Sequence, residues 1–189
     1  MISGLEHFTN LVEALQHLPA IGKKSARALA YHMVASDTFG AMKLAHAIER
    51  ALAHVHRCDK CGGLSEHELC DICSDEEREV AQLCIVASPK DIFTMEEGGF
   101  YHGRYFVFAS IEEADMERLF SMIEEGVREV IFAFSPSIQN DALIFFIEEK
   151  LTRFGLAFTK IAQGVPTGVN LENVDMLSLA RAVESRTKI

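Results

Sequence analysis

The sequence predicts an α+β chain built in parts: an N-terminal helical hairpin, a short segment held by four cysteines, then an α/β domain on a mostly parallel sheet with a C-terminal helix. Three observations predict it. Apolar residues recur at helical spacing through the first 57 residues, Cys58-Asp-Lys-Cys61 and Cys70-Asp-Ile-Cys73 form two C-x-x-C turns, and beyond them short apolar runs alternate with amphipathic stretches. The corresponding parts are residues 1–57, 58–79, 80–162 and 163–189.

Leu5, Phe8, Val12 and Leu15 predict one helix over residues 4–17, and Ala26, Leu29, Ala30 and Met33 a second over 23–35. Between them stands Leu18-Pro19-Ala20-Ile21-Gly22. Proline ends the first helix, Gly22 is expected to permit the sharp reversal, and Ile21 to pin the turn between the helices. A third helix over 38–56 carries Ala41, Leu44, Ala45, Ile48, Leu52 and Val55 on one face.

The cysteine segment follows. Two C-x-x-C turns joined by a short loop can close a tetrahedral thiolate cage around Zn²⁺, and Gly62-Gly63 supplies backbone freedom for the knuckle. Four thiolates leave no open ligand position, so Cys58, Cys61, Cys70 and Cys73 read as a structural zinc site. Two disulfides are the alternative. No signal peptide is evident, so a reducing compartment and free thiols are expected. Cys84, inside Leu83-Cys84-Ile85-Val86, is expected to be a small buried hydrophobe.

Strands are predicted at 83–87, 105–109, 130–134 and 157–161, with helices over 112–125 and 140–154 between them. Short buried strands alternating with helices favour right-handed parallel crossovers. Gly164 to Asn170 reads as a loop, and Asn173 to Ser185 as a last helix.

Composition bounds the function. With 189 residues and 49% hydrophobic content the chain can hold a core plus a smaller unit, and no apolar run approaches a membrane span. A net charge of −10 argues against a polyanionic partner, yet the charge is unevenly divided. Residues 1–57 hold six Lys/Arg (Lys23, Lys24, Arg27, Lys43, Arg50, Arg57) against four acids, and residues 58–189 hold twelve against twenty-four. Lys23, Lys24 and Arg27 crowd a helix start, where cations oppose the macrodipole, so they are expected to serve a bound phosphate. An ordinary solvated basic turn is the alternative.

At the strand ends, Val86-Ala87-Ser88-Pro89-Lys90-Asp91 and Phe132-Ala133-Phe134-Ser135-Pro136-Ser137 offer no Asp-x-Asp pair for Mg²⁺, and no phosphate loop is present. Asp91, Glu96, Glu97 and Asp141 are nearby acids expected to cap or lie on helix surfaces.

The order of these parts resembles the RecR family of recombination mediators over nearly the whole length. Leu18 to Ala26 resembles that family's helix-hairpin-helix signature, Cys58 to Cys73 its zinc finger, and Leu83 to Asp91 the opening of its Toprim domain. Gly99 to Tyr105 and Ile161 to Gly168, with Leu171 to Asp175 and Ala180-Arg181, resemble later signatures. Ala20 stands where the family usually has a second glycine and Ala87 where a glutamate is usual; Gln139-Asn140-Asp141 replaces an acid-Gly-acid stretch, and a Gly/Pro-rich insert near Ser110 to Glu112 is missing.

The resemblance implies a non-enzymatic, ring-forming homo-oligomer of the cytoplasm and nucleoid. It would bind single- and double-stranded DNA through Lys23, Lys24 and Arg27 and act with RecO and RecF to load RecA on single-stranded DNA. A metal-dependent Toprim-type enzyme and a protein-only adapter are the competing readings.

Overall fold

A computed structural model describes residues 4–108, 111–162, 165 and 168–184. The chain divides into two compact units, Met1–Val55 and His56–Ile189.

In the first unit, α1 (Glu6–Gln16) and α2 (Lys23–Tyr31) pack as an antiparallel hairpin around Val12, Ala26 and Ala30, with Phe8, Leu11, Leu15 and Ile21 against them. Ala26 and Ala30 are fully buried, since a methyl group is all the gap between two close helices admits. Ile21 pins the turn as expected. The reversal itself differs from expectation: Ala20 takes the left-handed conformation at φ 63°, while Gly22 is extended at φ −82° and ψ 167°. A Cβ on Gly22 would meet nothing within 4 Å. The expected second helix also stops early, and one π-helical turn, His32–Ser36, continues it. Helix α3 (Thr38–His54) starts with Asp37 Oδ1 accepting from Gly40 N at 2.8 Å, and none of its residues is buried.

The second unit opens with a two-residue antiparallel pair, β1 (His56–Arg57) and β2 (Leu64–Ser65), followed by the short α4 (Asp71–Ser74). The main sheet is parallel throughout, in the order β4-β3-β5-β6: β3 (Glu79–Val86), β4 (Gly103–Val107), β5 (Glu129–Ala133) and β6 (Ala157–Lys160). Strand β3 starts four residues before the expected strand, because its polar first half carries no apolar run. Ala109, at the end of the expected second strand, lies outside the described residues.

Alternation along the central strands explains the layers. Leu83, Ile85, Phe106, Val130 and Phe132 face α6 (Glu113–Glu124) and α7 (Ile138–Leu151), in one cluster with Leu119, Met122, Ile147 and Leu151. Cys84, Val86, Tyr105 and Val107 turn the other way, toward Ile92 of α5 (Pro89–Gly98). Helix α5 is not foreseen in the sequence. It begins at Ser88, whose Oγ accepts from Lys90 N while Asp91 Oδ2 accepts from Ser88 N at 2.9 Å, a capping box with proline at the first turn. Cys84 is fully buried, and desolvation, with Asp91 nearby, pushes its thiol up to about 12; it behaves as an inert hydrophobe. A single 3₁₀ turn, Leu171–Asn173, precedes α8 (Met176–Glu184). Most of the Gly164–Asn170 loop's first half and Ser185 lie outside the described residues.

Candidate nucleic-acid interface and metal centre

The metal centre is built on two knuckles. Cys58 N donates to Gly63 O at 2.7 Å and Gly62 N to Cys58 O at 2.9 Å, closing the first turn; Cys73 N donates to Cys70 O at 2.9 Å in the second. Gly62 adopts φ 72°, the backbone freedom expected of the knuckle, while at Gly63 the demand is for space, since a Cβ there would lie a tight 3.2 Å from both Cys61 Sγ and Ile92 Cδ1. The four sulfurs of Cys58, Cys61, Cys70 and Cys73 lie within 4.8 Å of one another, and all four residues are buried.

This donor set fits zinc. Sulfurs about 2.3 Å from a tetrahedral Zn²⁺ are about 3.8 Å apart, and Cys61 Sγ and Cys70 Sγ are separated by 3.6 Å. Backbone donors reach two of the sulfurs: Gly63 N to Cys61 and Cys70 N to Cys58, both at 3.3 Å. Hydrogen bonds from its neighbours, Cys61 first, draw the Cys70 thiol well down, whereas hydrogen bonds within the sulfur cluster, and after them burial, push Cys61 and Cys73 up.

The knuckle is fastened to the sheet beside it. Val107 N at the end of β4 donates to Cys61 O at 2.8 Å, and Lys60 Nζ meets Glu125 Oε2 at 2.6 Å, which Arg104 Nη1 also reaches at 2.5 Å. Beyond the last cysteine, Arg78 donates to both oxygens of Glu96 and, at 3.3 Å, to Gly103 O; Tyr105 OH donates to Glu96 Oε1 at 2.7 Å. The Arg78 guanidinium holds the Glu96 carboxyl below the usual carboxylate range. Of the four acids singled out in the sequence, Asp91 thus caps a helix and Glu96 anchors this network.

The hairpin gathers the basic residues. Lys23, Lys24 and Arg27 are all exposed on the first turn and a half of α2, whose N-cap, Gly22, makes no side-chain capping hydrogen bond. Two grooves meet there. One, of about 710 Å³, is lined by Phe8, Lys23, Lys24, Arg27, Ala28 and Tyr31. The other, of about 720 Å³, shares Phe8, Lys23 and Arg27 but carries Glu13. The sequence reading missed Tyr31, although its place four residues after Arg27 and eight after Lys23 puts it on the same helix stripe.

Comparison with known proteins agrees with this arrangement. Residues 8–52 match the family model described as RecR, helix-hairpin-helix, and residues 55–75 the one described as the RecR zinc finger domain of four cysteines. The chain is 60% identical over 186 residues to the recombination protein RecR of a Nitratiruptor species, covering 98% of each. This chain belongs to the RecR family. It is also 53% identical to the recombination protein RecR of Campylobacter jejuni, covering all of both chains, and 51% identical to that of Helicobacter pylori over 98% of this chain and 97% of the other. As a RecR-family member it carries a four-cysteine finger with structural zinc, which Cys58, Cys61, Cys70 and Cys73 are placed to hold. Among the described residues no helix is long and apolar enough to cross a membrane.

Proposed function

We propose that this RecR-family chain is a recombination mediator in DNA repair that grips DNA without cleaving it. One observation carries the reading: three exposed cations, Lys23, Lys24 and Arg27, crowd an uncapped helix start behind a tight turn, in a hairpin that matches the RecR helix-hairpin-helix. First-turn N–H groups and the positive helix end suit a phosphate, and the open space over Gly22 lets the backbone come close to it. Such contacts read the sugar-phosphate strand and carry no base sequence.

A chemical step finds little support at the sheet. Ligands of parallel sheets bind beyond the carboxyl ends of strands where the order reverses, here beside β3. That strand runs out into exposed Ala87, and β5 into Phe134-Ser135-Pro136.

Assembly fits the same picture. Helix α3 has no buried residue, and Leu44, Ile48 and Leu52 on one side of it are 45%, 51% and 81% exposed, an apolar face that a homo-oligomer would cover. Residues 1–57 would then both bind DNA and oligomerise, residues 58–79 form the finger, residues 80–162 the Toprim-like sheet domain and residues 163–189 an assembly segment. Several hairpins in one oligomer sum their charge, which offsets the acidity of the chain. RecO and RecF are the partners this reading assigns, RecA loading on single-stranded DNA the outcome, and the cytoplasmic nucleoid the place. The test is a Lys23→Ala/Arg27→Ala double variant. Retention of single-stranded and duplex oligonucleotides should be lost while zinc content and oligomer mass stay unchanged; unaltered retention would refute the assigned surface.

A further inference from the structure

We infer that the groove floored by Phe8, Ala28 and Tyr31 takes an unstacked base of single-stranded DNA, with Tyr31 as the stacking platform. The inference rests on the proposal that Lys23, Lys24 and Arg27 hold phosphates, and adds the form of nucleic acid the site prefers.

Tyr31 is 63% exposed although it stands at the end of a well-packed helix. Its neighbours along the helix stripe are Arg27, one turn or about 6 Å toward the N-terminus, and Lys23, two turns away. An aromatic face within a helical turn of a row of phosphate-binding cations is the pairing that sequence-neutral single-strand sites use: charge tracks the backbone and a ring accepts whichever base arrives. A groove of about 710 Å³ is roomy enough for a base.

Charge selects the groove and its occupant. The adjoining groove carries Glu13, which repels a phosphate, whereas the groove at Tyr31 has only cations on its rim. A second copy docking here by two-fold symmetry would bring its own Lys23, Lys24 and Arg27 against these three, with like charges opposed. Duplex DNA satisfies the cations but keeps its bases stacked inside, so it reaches Lys23 and Arg27 and leaves Tyr31 bare.

The test measures binding of the full-length, zinc-loaded protein to oligo-dT, to a duplex of equal length and to an abasic oligonucleotide. Tyr31→Ala should weaken oligo-dT binding by roughly 5- to 150-fold and duplex binding by no more than about twofold, while Tyr31→Phe retains both. On the wild-type protein, the abasic strand should bind about as weakly as oligo-dT binds Tyr31→Ala, a comparison independent of whether the variant folds. Equal losses on oligo-dT and duplex, no loss on either, or a changed oligomer mass for Tyr31→Ala would overturn the inference. If Lys23→Ala/Arg27→Ala weakens every substrate while Tyr31→Ala weakens none, only the stacking platform falls; if the double variant weakens none, the phosphate site falls too.

Discussion

Two positions of the hairpin separate what the fold demands from what a phosphate demands. Ala20 sits at φ 63°, where the Cβ of an L-residue crowds the following carbonyl at about 1–2 kcal/mol. Replacing it by glycine removes that strain and returns about 0.4–1 kcal/mol of freedom to the unfolded chain. Ala20→Gly should therefore stabilise the helical unit by about 0.5–1 kcal/mol. Gly22 is the opposite case. Its φ of −82° suits any residue and its Cβ position is empty, so Gly22→Ala restricts the unfolded chain favourably by about 0.4–1 kcal/mol. Alanine is the poorer N-cap by a similar amount, and the two nearly cancel. Urea unfolding followed by far-UV circular dichroism should thus show Ala20→Gly above wild type and Gly22→Ala within about 0.5 kcal/mol of it. Oligonucleotide binding should instead weaken in Gly22→Ala and stay unchanged in Ala20→Gly, because only the methyl on Gly22 obstructs a phosphate at the start of α2. A loss of stability in Ala20→Gly, or a cost above about 1 kcal/mol in Gly22→Ala, would refute the assignment of the reversal to Ala20.

Removing zinc should unfasten the knuckle without melting the sheet. Zinc contributes on the order of 10 kcal/mol to small four-cysteine folds, so chelation or Cys58→Ser should speed amide exchange at Val107, which donates to Cys61 O, and leave Ile131 in β5 protected; unchanged exchange at Val107 would contradict the coupling. Glu96 gives a pH dependence. Arg78 lowers its folded pKa, so the stabilisation is complete above the unfolded carboxylate value near about 4.3 and is lost as pH falls through the lower folded value. Glu96→Gln should be less stable than wild type at pH 7, with the gap closing in acid below that unfolded value; a gap that stays constant into acid would show that the pair contributes nothing.

Much of this arrangement was legible in the sequence because its signals are local. Two C-x-x-C turns announce their ion, helical spacing announces α1 and α2, and the buried central strands show as apolar runs. The misses have physical causes. Alanine at position 20 gives no hint of a left-handed backbone, so the reversal falls to Gly22 on sequence grounds, the residue that tolerates it best. Helix α5 escapes notice although Ser88-Pro89-Lys90-Asp91 spells its capping box, because the same four residues also read as the end of a strand. The polar start of β3 shows no apolar run, and β1 and β2 are too short for any periodicity. Arg78, Glu96 and Tyr105 meet from three separate parts of the chain, and no spacing rule joins residues so far apart. The apolar face of α3 is legible as a stripe, yet its exposure could come only from the folded chain.

The salt dependence of DNA binding tests the central claim most directly. A hairpin whose three cations each displace a counterion from a single strand should give a slope of log K against log salt of about −2, steeper when several hairpins of an oligomer engage at once. The account predicts that slope for the wild-type protein, one reduced to about a third of it for Lys23→Ala/Arg27→Ala, which keeps only Lys24, and an oligonucleotide recovered intact after incubation with Mg²⁺. A flat wild-type slope, or shortened DNA, would contradict it.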